Sequence, residues 1–207
     1  MKDKAPSPQK RNRNKTTGAI LRTATTLFLE RGYAAVSLSL IAKQAGVTKS
    51  LLHHYFGDKR GLWKAVKDAS FASYAEQQRA LFSAQPEHPE EGIAASLSVY
   101  FSFLKQHPEV ARIFALESFE RSYEPSATEQ DLLHEGVAFL HDLQEKKILR
   151  KDIDADMMLA MFGGLTEYWF ISRDRVAKLH NLKSGDSLDA RYFEAASKIF
   201  DSGFLIQ

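Results

Sequence analysis

At 207 residues the chain is long enough to bury a sizeable core, and its lack of cysteine excludes disulfides, thiolate metal sites and cysteine nucleophiles. The net charge of +2 hides an asymmetry: residues 1–67 carry 14 Lys+Arg against 3 Asp+Glu, and the remainder 14 against 23. A basic head on an acidic body suits a polyanion partner held by the head alone.

Residues 1–14, MKDKAPSPQKRNRN, are rich in Pro, Lys and Arg without apolar periodicity, and are expected to form a disordered basic arm. From Lys15 or Thr16 onward, Ile20, Leu21, Ala24, Leu27 and Phe28 recur at three-four spacing and predict a helix ending at Gly32, with Tyr33 packing beyond it. Ser37 is placed to cap a second helix whose inner set is Leu38, Ile41, Ala42 and Ala45; Leu40 cannot complete a capping box as Glu would. Gly46 follows where a left-handed C-cap favours a residue without a side chain. Val47 then plugs the turn and Thr48 caps a third helix. Leu51, Leu52 and Phe56 give that helix an inner face, leaving Lys49, Ser50, His53 and His54 outside. Two short helices around so sharp a turn have the form of a helix-turn-helix that enters DNA, with a domain over 15–58.

Gly57-Asp58 makes the next turn and Lys59 opens a long helix carrying Leu62, Trp63, Val66, Ala69, Phe71, Tyr74, Leu81 and Phe82. Further helices are predicted over 89–106, 108–122, 126–148, 154–180 and 187–205, with Pro89, Pro108 and Pro125 at their starts, where a missing N–H costs nothing. No two-residue alternation bounded by hairpin turns occurs, so the fold class is all-α: a three-helix N-terminal domain and a larger helical domain over 59–207.

Residues 157–171, MMLAMFGGLTEYWFI, are apolar on nearly every face. Residues 188–204 carry two stripes, Leu188-Tyr192-Ala195-Ile199 and Phe193-Ala196-Phe200-Phe204. One stripe suits the chain's own core and the other a second copy. Gly163-Gly164 in mid-helix costs roughly 1 kcal/mol per residue against Ala, which close backbone approach would offset. On this reading Gly163, Gly164, Tyr192, Ile199 and Phe200 belong to a homodimer interface; on the competing one both helices are core elements of a monomer.

Enzymatic chemistry finds no footing, since GxSxG, HExxH and glycine-rich phosphate loops are all missing. His134 and His141 are seven residues apart, roughly 10 Å along a helix and too far for one ion. No catalytic residue, metal or cofactor is expected. Residues 1–17 hold no apolar run of the kind a secretory signal needs, and no stretch approaches the roughly 18 apolar residues of a membrane span. A cytoplasmic location without membrane attachment is the expectation.

Residues 17–68 resemble the TetR family of transcriptional regulators: AILRTATTLFLERGY, SLSLIAKQAGVTKSLLHHYF and DKRGLWKAV occur in that family's order and spacing. The resemblance implies a homodimer on a near-palindromic double-stranded DNA operator, usually repressing, and released by a small molecule in the C-terminal domain. It further implies that the last two helices form a four-helix bundle across the dimer. Carried over residue by residue, it makes Ser37 and Thr48 cap hydroxyls that also meet phosphate, and Lys59 a phosphate contact. It faces Lys49, Ser50 and His54 to the major groove and sends Arg11 and Arg13 along the minor groove. His53 stands where the family usually has a phosphate-touching Tyr, and Ser39-Leu40 where charged or polar residues are common. Phe71, Tyr74, Tyr100, Phe103, Phe114, Phe119, Phe139, Met161 and Trp169 lie on the helices that bound the ligand cavity in similar proteins. They read as the lining for a small hydrophobic effector or as simple core. Glu117, Glu120, Glu135 or Glu167 would select a lipophilic cation. The alternative is a helical DNA-binding dimer without an effector, acting through a protein partner or as an architectural protein.

Overall fold

The computed structural model describes residues 8–84, 89–117 and 125–205, without the side chains of 8–12, 89 and 90. Among the described residues the chain forms α1 (Pro8–Ala35), α2 (Leu38–Ala45), α3 (Lys49–Phe56), α4 (Lys59–Ser83), α5 (Pro89–Gln106), α6 (Pro108–Glu117), α7 (Ala127–Glu145), α8 (Ala155–Leu179) and α9 (Asp186–Phe204). The all-α architecture matches the periodicity. The extended pairing seen among these residues is an isolated antiparallel bridge between Leu149 and Leu205. No described helix is long and apolar enough to cross a membrane.

The start of α1 differs from expectation. It begins at Pro8 rather than near Lys15 and takes in half of the segment read as a disordered arm. Proline is tolerated in a first turn, and Gln, Lys and Arg are good helix formers that extend a helix fixed by its apolar face. Gly32 interrupts α1 at φ 76°, ψ 158°. The turn between α2 and α3 follows the expected grammar: Ser37 and Thr48 accept backbone N–H bonds from Leu40 and Leu51, both at 3.2 Å. Gly46 sits in the left-handed region at φ 66°, and its N–H reaches the carbonyls of Ala42 and Lys43.

Contacts divide the chain into two units, Met1–Ser70 with Glu124–Ser126 and Phe71–Tyr123 with Ala127–Gln207. The division falls inside α4, not ahead of Lys59 as the sequence suggested. In the first unit Ile20, Leu27, Phe28, Ile41, Leu52 and Leu62 are fully buried. Phe28 meets Trp63 edge-on at 4.9 Å. Lys49, Ser50, His53 and His54 thereby stand on the outer side of α3, because Leu52 is held behind them.

In the second unit α8 packs on α5, α6, α7 and α9. Phe193, Ala196, Phe200 and Phe204 of α9 join Leu97, Leu143 and Met158 in one core cluster. Lys147, at φ 58°, ends the run after α7 short of the predicted residue 148.

Candidate DNA-reading surface and effector cavity

The outer face of α3 is open, with Lys49, Ser50, His53 and His54 exposed. Ser37 and Thr48 are exposed as well. A hydroxyl that accepts from the backbone keeps its own O–H to donate, which is what a phosphate oxygen takes. Arg13 is exposed and its guanidinium lies over the Tyr55 ring at 5.4 Å. The side chain of Arg11 is outside the described residues.

Two expected contacts change character. Lys59 Nζ donates to the carbonyls of Tyr33 at 2.9 Å, Ala34 at 3.4 Å and Val36 at 2.9 Å, and sits 4.3 Å from the Tyr33 ring centroid. An ammonium has three N–H bonds, and three carbonyls at and just beyond the end of α1 take them. Lys59 is therefore a clamp between α1 and the start of α4, with no N–H left for the phosphate role that the resemblance implied. His53 Nδ1 lies 2.6 Å from the Gly57 carbonyl. That oxygen can only accept, so Nδ1 carries a hydrogen and, in the neutral ring, Nε2 is an acceptor. Nε2 can donate outward only once the ring is protonated.

The second unit contains a cavity of about 480 Å³ between α4, α5, α6, α7, α8 and α9. Of the sequence-derived lining, Phe71, Tyr74, Tyr100, Phe114 and Phe139 border it. Phe103 packs in the adjoining core against Phe71 and Tyr74. Met161 is exposed, and Trp169 stacks on Tyr192 at 4.2 Å while its Nε1 donates to Asp189. The helical repeat explains both corrections: α8 turns Met158, Leu159, Phe162, Gly163 and Glu167 to the cavity, so 161 and 169 point elsewhere. Phe119 and Glu120 fall outside the described residues. Glu135 is paired with Arg79 at 2.7 Å and does not border the cavity, whereas Glu117 and Glu167 do.

The cavity's polar groups form a small network. Tyr100 Oη donates to Glu167 Oε1 at 2.5 Å. Gln78 Nε2 donates to Tyr74 Oη at 2.9 Å and to the Ser96 carbonyl at 3.1 Å. Gln78 Oε1 and Ser96 Oγ are buried without a hydrogen-bond partner. Burial pushes the Glu167 carboxyl above its usual range; the Tyr100 hydroxyl opposes this and the Glu129 charge adds to it. Burial likewise holds the Tyr100 and Tyr74 hydroxyls well above the ordinary phenol value. No cluster of three or more His, Asp or Glu suited to a metal occurs among the described residues.

Residues 20–66 match the sequence model described as bacterial regulatory proteins, tetR family. Over that segment the chain resembles the TetR family. It is 23% identical over 166 residues to the HTH-type transcriptional repressor NicS of Pseudomonas putida, covering 77% of this chain and 78% of that one. To the HTH-type transcriptional repressor BepR of Brucella suis it is 27% identical over 173 residues, 74% of this chain and 80% of the other. The crystal structure of a TetR family transcription regulator from Marinobacter aquaeolei shares the fold, with a TM-score of 0.72 at 14% identity over 96% of this chain and 100% of that one. The matched segment and these relatives are those of DNA-binding transcriptional regulators.

In this chain α8 and α9 sort their apolar residues differently from the two-stripe reading. Phe200 is 2% exposed and borders the cavity, so it belongs to the core and not to an outer face. Tyr192 is half-buried and its hydroxyl donates to the Leu165 carbonyl at 2.7 Å. Gly163 borders the cavity, where an added Cβ would lie 3.4 Å from Glu167 Oε1. Ile199, 58% exposed, and Gly164 do lie on the surface. Beside them, Met157, Met161, Gly164, Tyr168 and Ile171 form an exposed stripe on α8. Sequence reasoning missed this stripe, although its alternating four-three spacing was available, because residues 157–171 look apolar all round. Gln78 and Ser96 were missed too. Their signal was a polar residue interrupting an apolar face, Gln78 four after Tyr74 and Ser96 between Ile93 and Tyr100.

Proposed function

We propose that this protein is a repressor that binds a near-palindromic operator as a homodimer and releases it when a small hydrophobic effector enters the cavity of the second unit. The cavity carries the reading: an aromatic-lined space of about 480 Å³ with buried polar atoms left unpartnered suits a guest better than bare packing does. The names of NicS and BepR support repression over activation. In this account Lys49 donates to guanine O6 and N7 in the major groove, with Ser50 and His54 beside it. Ser37 and Thr48 donate to phosphates, His53 joins them when protonated, and Arg11 and Arg13 follow the minor groove. The exposed α8 stripe and Ile199 meet their copies in a second chain.

The effector must bind a DNA-incompetent arrangement of the dimer better than the competent one, because equal affinity for both shifts nothing. Operator DNA must therefore weaken effector binding by the factor by which effector weakens operator binding. Compounds that raise the thermal midpoint of the protein identify binders. Operator affinity is then measured with and without each. A decrease supports the reading; a compound that binds the second unit and leaves operator affinity unchanged favours regulation without an effector.

A further inference from the structure

We propose that the cavity takes a lipophilic amine in its protonated, N–H-bearing form, with Glu167 as counter-charge and Gln78 Oε1 and Ser96 Oγ as acceptors. This inference rests on the effector reading above and assigns the effector's chemistry. The orientation of Gln78 is fixed by its neighbours: a carbonyl can only accept, so the nitrogen faces Ser96 and Oε1 is the acceptor left over. Gln78 is 2% exposed and Ser96 8%, and both border the cavity with Oε1 and Oγ unpartnered. A buried acceptor without a donor is costly, and a guest that brings N–H groups removes the cost.

Charge points the same way. Glu167 borders the cavity, and no Lys, Arg or His is among the described residues that do. A carboxylate or phosphate ligand would bring a further negative charge beside this carboxylate, whereas an ammonium meets its opposite. Tyr100 occupies Glu167 Oε1, and a carboxylate can accept further bonds. Tyr74, Tyr100 and Phe162 pack on one another at 4.8 Å and 5.7 Å and border the same cavity, giving it an aromatic wall. A quaternary ammonium would supply the charge but no N–H for Gln78, so a primary or secondary amine fits the acceptors best. The apolar remainder of the cavity receives its hydrocarbon tail.

The test is calorimetric titration of the full chain with decylamine, decanol and decanoate, which share a tail and differ in head, alongside operator affinity in the presence of each. Decylamine is expected to bind one per protomer at least about tenfold tighter than decanol, a difference of roughly 1.4 kcal/mol, with decanoate weakest. Glu167→Gln is expected to remove about tenfold from decylamine binding and to leave decanol unchanged. Decanoate binding as tightly as decylamine, or no binding by any of the three, overturns the proposal; this comparison on the unaltered protein holds even if the variant misfolds. Unchanged decylamine affinity in folded Glu167→Gln also overturns it. Decylamine that binds through Glu167 without altering operator affinity upholds the amine site and counts against the effector reading. Decanoate that binds and releases operator does the reverse.

Discussion

Lys49 stands exposed in the first turn of α3, and its replacement separates base reading from phosphate attraction. Lys49→Ala is expected to weaken operator binding by roughly 1–3 kcal/mol while leaving random DNA nearly unaffected. Equal loss on both sequences would make it a phosphate contact. For His53, the bond to the Gly57 carbonyl fixes the tautomer of the neutral ring. The neutral ring offers phosphate only an acceptor, and the protonated ring offers a charged donor. Operator affinity should therefore depend on the protonation state of His53, and His53→Gln should remove that dependence, with His54→Gln as the control. Glu167 predicts a pH effect on stability. Burial raises its folded-state pKa above that of the unfolded chain, so the folded protein binds the proton more tightly. Ligand-free stability should then fall as pH rises from the ordinary carboxylate range through the raised value. Glu167→Gln should remove that fall and lift the thermal midpoint at neutral pH; an unchanged stability profile would contradict a desolvated carboxylate.

At the scale of elements, the helix-turn-helix depends on caps and on one close backbone approach. Removing the Ser37 or Thr48 hydroxyl should cost about 1 kcal/mol of stability each, measured by denaturant unfolding. Gly61 is more sensitive: a Cβ there would lie 2.0 Å from the Phe56 carbonyl oxygen, so Gly61→Ala must move the α3–α4 junction. Asp58 holds that junction by accepting the Gly61 N–H at 2.8 Å. Lys59→Ala should cost about 1–3 kcal/mol by freeing the carbonyls that end α1. It should leave the salt dependence of DNA binding intact, since no phosphate contact is lost. These elements also explain what was legible beforehand. Caps, Gly46 and the α2 and α3 apolar faces are local, so a short window of sequence contains the whole cause. The Lys59 clamp spans Tyr33 to Lys59, and the cavity collects residues from six helices. Neither has a local signature, and a resemblance alone misplaced Lys59, Phe103, Met161 and Trp169. Phe200 was misassigned for a related reason: two apolar stripes on one helix do not reveal which faces inward until α8 is packed against it.

At the scale of the whole molecule, dimerisation is expected to run through Tyr168, Ile171 and Ile199. Ile171→Glu or Ile199→Glu should yield monomers in sedimentation, because a charge cannot be buried unpaired at an apolar interface. Phe200→Glu should instead reduce stability, since Phe200 lies in the core beside the cavity. Two-fold symmetry then dictates the DNA: two α3 helices reading successive major-groove faces require half-sites about one turn apart or slightly more, roughly 34–36 Å. Selection of duplexes from a random pool by the purified full chain tests this most directly. The account predicts an inverted repeat of that spacing, bound by two protomers and lost when Lys49 is replaced by Ala. Recovery of no sequence above background, or of a single unrepeated site bound by one protomer, would contradict it.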